Sequence, residues 1–127
     1  MTARLDLSPD ERRELARLLA GGPSLDALLR SWSAFVTQVE RGYEDSIYEY
    51  TNDLSVRDRL ARVVDGAGPG LRAKLEARLA GDDERFRAAT ADSPPLGAFR
   101  EEPPPWWWRR VPVRRVGELA DDLDALT

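Results

Sequence analysis

Between residues 39 and 53 the chain reads VERGYEDSIYEYTND, and its acidic residues fall at regular intervals. Glu40 and Glu44 stand four apart, as do Asp45, Glu49 and Asp53, with Tyr43, Tyr48 and Tyr50 running between them. On one continuous helix this spacing makes two acidic rows beside an apolar seam. Three kinds of chemistry suit such a face. Carboxylates shared with a neighbouring helix hold Mg²⁺ or Mn²⁺ for phosphate chemistry. A buried pair with separated pKa values works as acid and base. An open acidic surface set with tyrosines steers and binds a basic partner. A solvated helix face uses the same residues and does nothing further. The interleaved tyrosines favour the partner surface, with Tyr43, Glu44, Asp45, Tyr48, Glu49 and Asp53 as its residues.

The second stretch with chemical character is PPPWWWRRVPVRRV, residues 103–116. Three consecutive side chains cannot share one direction: in a strand Trp107 opposes Trp106 and Trp108. A core on one side takes one or two of them, and an uncovered indole in water is expensive. One expectation is that Trp106 and Trp108 fill a groove between helices. The other is that Trp107, with Arg109, Arg110, Arg114 and Arg115, forms a recognition surface, since Trp and Arg are the types enriched at binding hot spots. Bases also stack on tryptophan, and arginine meets phosphate. The basic run is short, however, and lies between Glu101 and Glu102 on one side and Glu118, Asp121, Asp122 and Asp124 on the other. Nucleic acid is therefore not the expected partner.

Composition narrows the chemistry. The chain has no histidine and no cysteine. Ser-His-Asp, Cys-His and HExxH machinery are excluded, as are disulfides and the commonest zinc ligand. DGAGPG (65–70) lacks the lysine of a phosphate loop, and no helix-turn-helix has a basic recognition helix. The pairs Glu11/Glu14 and Asp121/Asp124 resemble fragments of the helical nucleotide-pyrophosphohydrolase pattern, but they sit on short terminal helices. No catalytic residue, metal ligand or cofactor is expected. The net charge of −4 suits a basic protein partner and opposes non-specific nucleic-acid binding. No apolar run approaches a membrane span and the N-terminus has no apolar signal region, so a cytoplasmic location is expected.

At 127 residues the chain can close one core without staples. A first helix starts at Ser8, with Pro9 in its first turn and Glu11 completing a capping box, and stops at Gly21-Gly22-Pro23. From Ser24 the apolar series Leu25, Leu29, Trp32, Val36, Val39, Tyr43, Ile47, Tyr50, Leu54 predicts one long helix, bent or broken at Gly42. TNDLS (51–55) reads as a breaker, with Ser55 and Asp58 as a new capping box before Val56, Leu60, Val63 and Val64. A further helix carries Leu71, Leu75, Leu79, Phe86 and Ala89, with an interruption at Gly81-Asp82-Asp83. Residues 92–105 hold five of the nine prolines and predict irregular chain. Pro112 confines any strand there to an edge, and Leu119, Leu123 and Leu126 mark a last helix. The expected fold is mostly α: a single domain over 1–127, a bundle of four to five helices with a Pro/Trp-rich arm (92–116) packed across it.

The segments YEYTNDLSVRDRLARVV, LEARLAGDDERFRAAT and WWWRRVP with ELADDL resemble, in general style over residues 43–126, small uncharacterised proteins of GC-rich actinobacteria. Some of those act as immunity proteins for delivered toxins. The resemblance transfers no functional residue. It implies an antitoxin or immunity role, which needs no catalytic group and suits an acidic protein meeting a basic toxin domain. The function expected is a non-enzymatic protein-binding module. The alternatives are a carboxylate-based, metal-dependent phosphohydrolase, and a homodimer that exchanges its arm.

Overall fold

A computed structural model describes residues 5–97, 99 and 101–126. Helix α1 (Pro9–Leu18) opens with the predicted capping box: the Ser8 hydroxyl accepts from the Glu11 amide, and the Glu11 carboxylate accepts from the Ser8 amide. Helix α2 (Leu25–Arg41) is capped by Ser24, whose hydroxyl accepts from the Ala27 amide. Its buried stripe, Leu25, Leu28, Leu29, Trp32, Phe35, Val36 and Val39, follows the helical period.

The long helix breaks at Gly42, not at TNDLS. Gly42 adopts φ +114°, outside the helical basin, and Ser46 caps a new helix, α3 (Ile47–Gly66), through the Glu49 amide. The breaker reading of 51–55 is corrected by the hydroxyls themselves. Thr51 donates to the Ile47 carbonyl and Ser55 to the Asn52 carbonyl, so both bond back within the helix without capping a new one. Helix α4 (Pro69–Ala89) likewise runs unbroken through Gly81. The polar pair that follows, Asp82 and Asp83, is buried against the bundle.

From the end of α4 the chain enters β1 (Thr90–Asp92), swings out through the proline-rich arm, makes one 3-10 turn over Trp106–Arg109, and returns as β2 (Arg110–Pro112). The two strands pair antiparallel, Ala91 opposite Val111. A two-stranded ribbon has only edges, so Pro112 is tolerated. Arg110 clamps the ribbon, donating to Thr90 Oγ1 (2.7 Å), Asp92 Oδ1 (3.0 Å) and the Thr90 carbonyl (2.8 Å). Helix α5 (Gly117–Ala125) docks on the α2–α3 junction: Glu118 N donates to the Glu44 carbonyl, and Asp122 accepts from Ile47 N at 2.8 Å, covering an orphan amide of α3.

One contiguous core joins these elements. Its aromatic centre is Trp32, Phe35, Tyr43, Tyr50 and Phe86, with ring centroids 5.1 Å apart for Trp32–Phe86 and 5.3 Å for Phe35–Tyr50. The architecture is mostly α, with five helices and one short ribbon among the described residues. No helix among them is long and apolar enough to cross a membrane.

Candidate functional site

The site begins with two adjacent residues of α3. Arg57 and Asp58 point on either side of the same helix face, and each is committed to a tryptophan. Arg57 is 8% exposed and pairs with Asp83 of α4 in a bidentate fork, Nε–Oδ1 3.0 Å and Nη2–Oδ2 2.9 Å. Asp83 Oδ1 also accepts from Trp32 Nε1 at 3.1 Å, and the Arg57 guanidinium stacks on the Trp107 ring, 4.5 Å from its centre. A buried charge pair survives desolvation when hydrogen bonds and close contacts replace its water, and here the fork and the indole satisfy both Asp83 oxygens while the fork and the ring hold the guanidinium. Asp58 Oδ1 accepts from both Trp107 Nε1 and Trp108 Nε1, each at 2.8 Å. A single carboxylate therefore anchors two of the three arm indoles to α3.

This anchoring raises Trp107 as a wall, with a cleft on either side. Toward the arm lies a cleft of about 540 Å³, lined by Asp58, Arg62, Asp65, Phe99, Glu101 and Trp108. Toward α4 lies one of about 680 Å³, lined by Asp65, Glu76, Asp83, Glu84, Arg87 and Trp106. Trp107, Ala61 and Asp65 border both. Helical spacing explains the linings: Arg57, Ala61 and Val64 turn to one cleft, Asp58, Ala61 and Asp65 to the other. Six carboxylates (Asp58, Asp65, Glu76, Asp83, Glu84, Glu101) and three guanidiniums (Arg57, Arg62, Arg87) line the two clefts. The balance is acidic and the walls aromatic. Carboxylates at the rim and indole faces within are the groups that attract cations.

Arg87 illustrates that preference. Its guanidinium lies 3.9 Å from the centre of the Trp106 ring. Glu84, three residues earlier, stands at the spacing of a helical ion pair, which contributes about 0.2–0.5 kcal/mol. A cation on an indole at an exposed position contributes about 0.5–1 kcal/mol. The ring wins.

Of the partner-binding residues singled out in the sequence, Trp107 belongs to these clefts; the acidic and tyrosine residues and the two arginines line neither, and they separate. Glu44 and Asp45 are in the loop between α2 and α3, so the two acidic rows of a continuous helix do not form. Tyr43 is 3% exposed and donates to Asp53 Oδ2 at 2.6 Å, which turns both side chains inward. Burial, and then the Asp53 carboxylate, push the Tyr43 hydroxyl pKa far up; burial does the same to Tyr50, whose hydroxyl donates to the Arg110 carbonyl. Tyr48, 82% exposed, and Glu49 remain on the surface. Trp107 is 6% exposed and so is a wall of the clefts with its ring largely covered, while Arg110 is spent on the ribbon and Arg109 stays exposed. Trp106 and Trp108, expected to fill a groove, are half-buried beside it.

Glu40 pairs with Arg85 of α4, whose hydrogen bonds hold the Glu40 carboxyl below its ordinary value. Among the described residues no three acidic side chains are grouped closely enough to hold a metal ion. The convergence that a carboxylate phosphohydrolase needs is not formed by Glu44, Asp45, Glu49 and Asp53.

Sequence reasoning missed Arg57, Asp58, Asp65, Glu76, Glu84 and Arg87. One signal was present: three adjacent indoles bring three N–H donors, and burying them demands acceptors somewhere in the chain. Nothing in the order of residues tells which of twenty-three acids supplies them. No family model matches this sequence, and no curated protein or solved structure is significantly similar to it.

Proposed function

We propose that the protein is a non-enzymatic binding module that takes a basic segment of another protein into the acidic, tryptophan-walled clefts along α3. The observation that supports this is the lining itself: Trp106, Trp107 and Trp108 stand among Asp65, Glu76, Glu84 and Glu101, four carboxylates on exposed residues. Rim carboxylates contribute little affinity singly and act mainly on encounter rate and specificity. The indoles supply the apolar anchor. With net charge −4 and neither histidine nor cysteine, the chain suits the neutralisation of a basic partner better than acid–base or thiol chemistry. A toxin domain with a basic cleft, bound and thereby silenced, is the sharpest form of such a partner.

The test compares tagged wild-type protein with Glu76→Lys/Glu84→Lys in pull-downs from the native cells, with mass-spectrometric identification. Both positions are exposed, so the fold is retained, as circular dichroism would verify. A stoichiometric basic protein should accompany the wild type and fall by about tenfold or more with the double variant, as expected for two reversed contacts. Equal recovery by both proteins, or recovery of no basic protein, overturns the proposal.

A further inference from the structure

The α4-side cleft already holds a cation of the kind the proposed partner would bring. Two indole faces meet there nearly at right angles, Trp106 and Trp107 at 88° with centroids 5.6 Å apart, and each carries a guanidinium. The two guanidiniums are held very differently. Arg57 on Trp107 is buried and locked by its fork to Asp83. Arg87 on Trp106 is exposed, and it makes no ion pair with any described residue. Glu76 and Glu84 line the same cleft, exposed and equally without an ion pair among the described residues. One face is closed for good. The other is covered by a side chain free to leave.

We infer that the Trp106 face is an arginine subsite, occupied in the free protein by Arg87 and yielded to an arginine side chain of the partner. The inference rests on the proposed partner-binding role and names the chemistry of one contact within it. A planar guanidinium matches the indole face, where a compact, strongly hydrated ammonium fits less well, so arginine is preferred over lysine. When displaced, Arg87 has Glu84 within one helical turn to receive it, and the incoming cation meets Glu76 at the rim.

Calorimetric titration of the full chain with an oligo-arginine and an oligo-lysine peptide of equal length tests this. The arginine peptide should bind more tightly. Arg87→Ala should tighten it about two- to five-fold by removing the resident competitor. Arg59→Ala, which removes the same charge from an exposed position outside the two clefts, should tighten it less. Trp106→Phe, which keeps a ring in place with a weaker face, should erode the gain seen with Arg87→Ala. Equal effects of Arg87→Ala and Arg59→Ala, or equal affinity for the two peptides, overturn the subsite. If the arginine peptide binds and is weakened by Glu76→Lys/Glu84→Lys yet ignores Arg87→Ala, the subsite falls and the cleft stands. If neither change alters binding, both fall.

Discussion

Asp58 ties two of the three arm indoles to α3 through one oxygen atom. Its Oδ1 takes both the Trp107 and Trp108 indole protons. Asp58→Ala leaves the buried Trp107 donor without a partner, while half-buried Trp108 can find water, so the expected loss is about 2–3 kcal/mol. Asp58→Asn keeps a carbonyl oxygen in that place and should cost about half as much, because only the charge assistance is removed. Urea unfolding of the two variants decides. Equal losses would mean that the negative charge matters and the acceptor does not. Tyr43 teaches the complementary point. In the sequence it belonged with the acids around it; in the structure its hydroxyl is sealed against Asp53, and a residue type enriched at interfaces serves the core.

The breaks between elements were partly readable. Ser8 was legible as a cap, and Ser24 as the start of a helix, because capping is local, a hydroxyl meeting an amide three residues on. The α2–α3 break was legible only as a weakness at Gly42, since the same apolar series continues across it. Contact with α5 decides that junction. Gly117, at φ +61°, brings its backbone so close that an added Cβ would stand 2.3 Å from the Glu44 carbonyl oxygen. Gly117→Ala should therefore cost at least roughly 1–3 kcal/mol and expose the α5 amides to hydrogen exchange. Normal α5 protection would refute this. Helix α1, with no fully buried residue, packs Leu15 and Leu18 half-buried against the core and adds polar ties: Glu11 to Lys74 at 2.7 Å, and Glu14 to the Gly68 amide at 2.5 Å. The Lys74 hydrogen bond, then that from the Ser8 amide, hold the Glu11 carboxyl below its ordinary 4.5. A depressed folded-state pKa gives stability that is present above 4.5 and lost as pH falls through the folded value. Exchange of the α1 amides, corrected for intrinsic rate, should accelerate below pH 4.5 while the core stays protected. Glu11→Gln should remove most of that pH dependence, and an unchanged profile would count against the tie.

At the scale of the whole molecule, the arm is tied into the bundle and should unfold with it. Asp58 holds two of its indoles, the Tyr50 hydroxyl meets the Arg110 carbonyl, and β1 pairs with β2. In a Trp32→Phe variant all remaining tryptophans lie in the arm, so fluorescence reports the arm while far-ultraviolet circular dichroism reports the helices. The two urea transitions should coincide. An earlier fluorescence transition would mean that the arm peels away separately. What the sequence by itself determined was local or periodic: a mostly helical chain, the capping box at Ser8, the buried stripe of α2, and the exclusion of histidine and cysteine chemistry. Those features follow from neighbouring residues and from the 3.6-residue period. The tertiary structure alone decided which tryptophan is a wall, which aspartate anchors it, and which acids share a cleft. Contacts such as Asp58–Trp107 and Arg57–Asp83 join residues 49 and 26 positions apart. An acceptor at that distance is chosen by the packing of α3 against α4 and the arm, and no local spacing carries that choice.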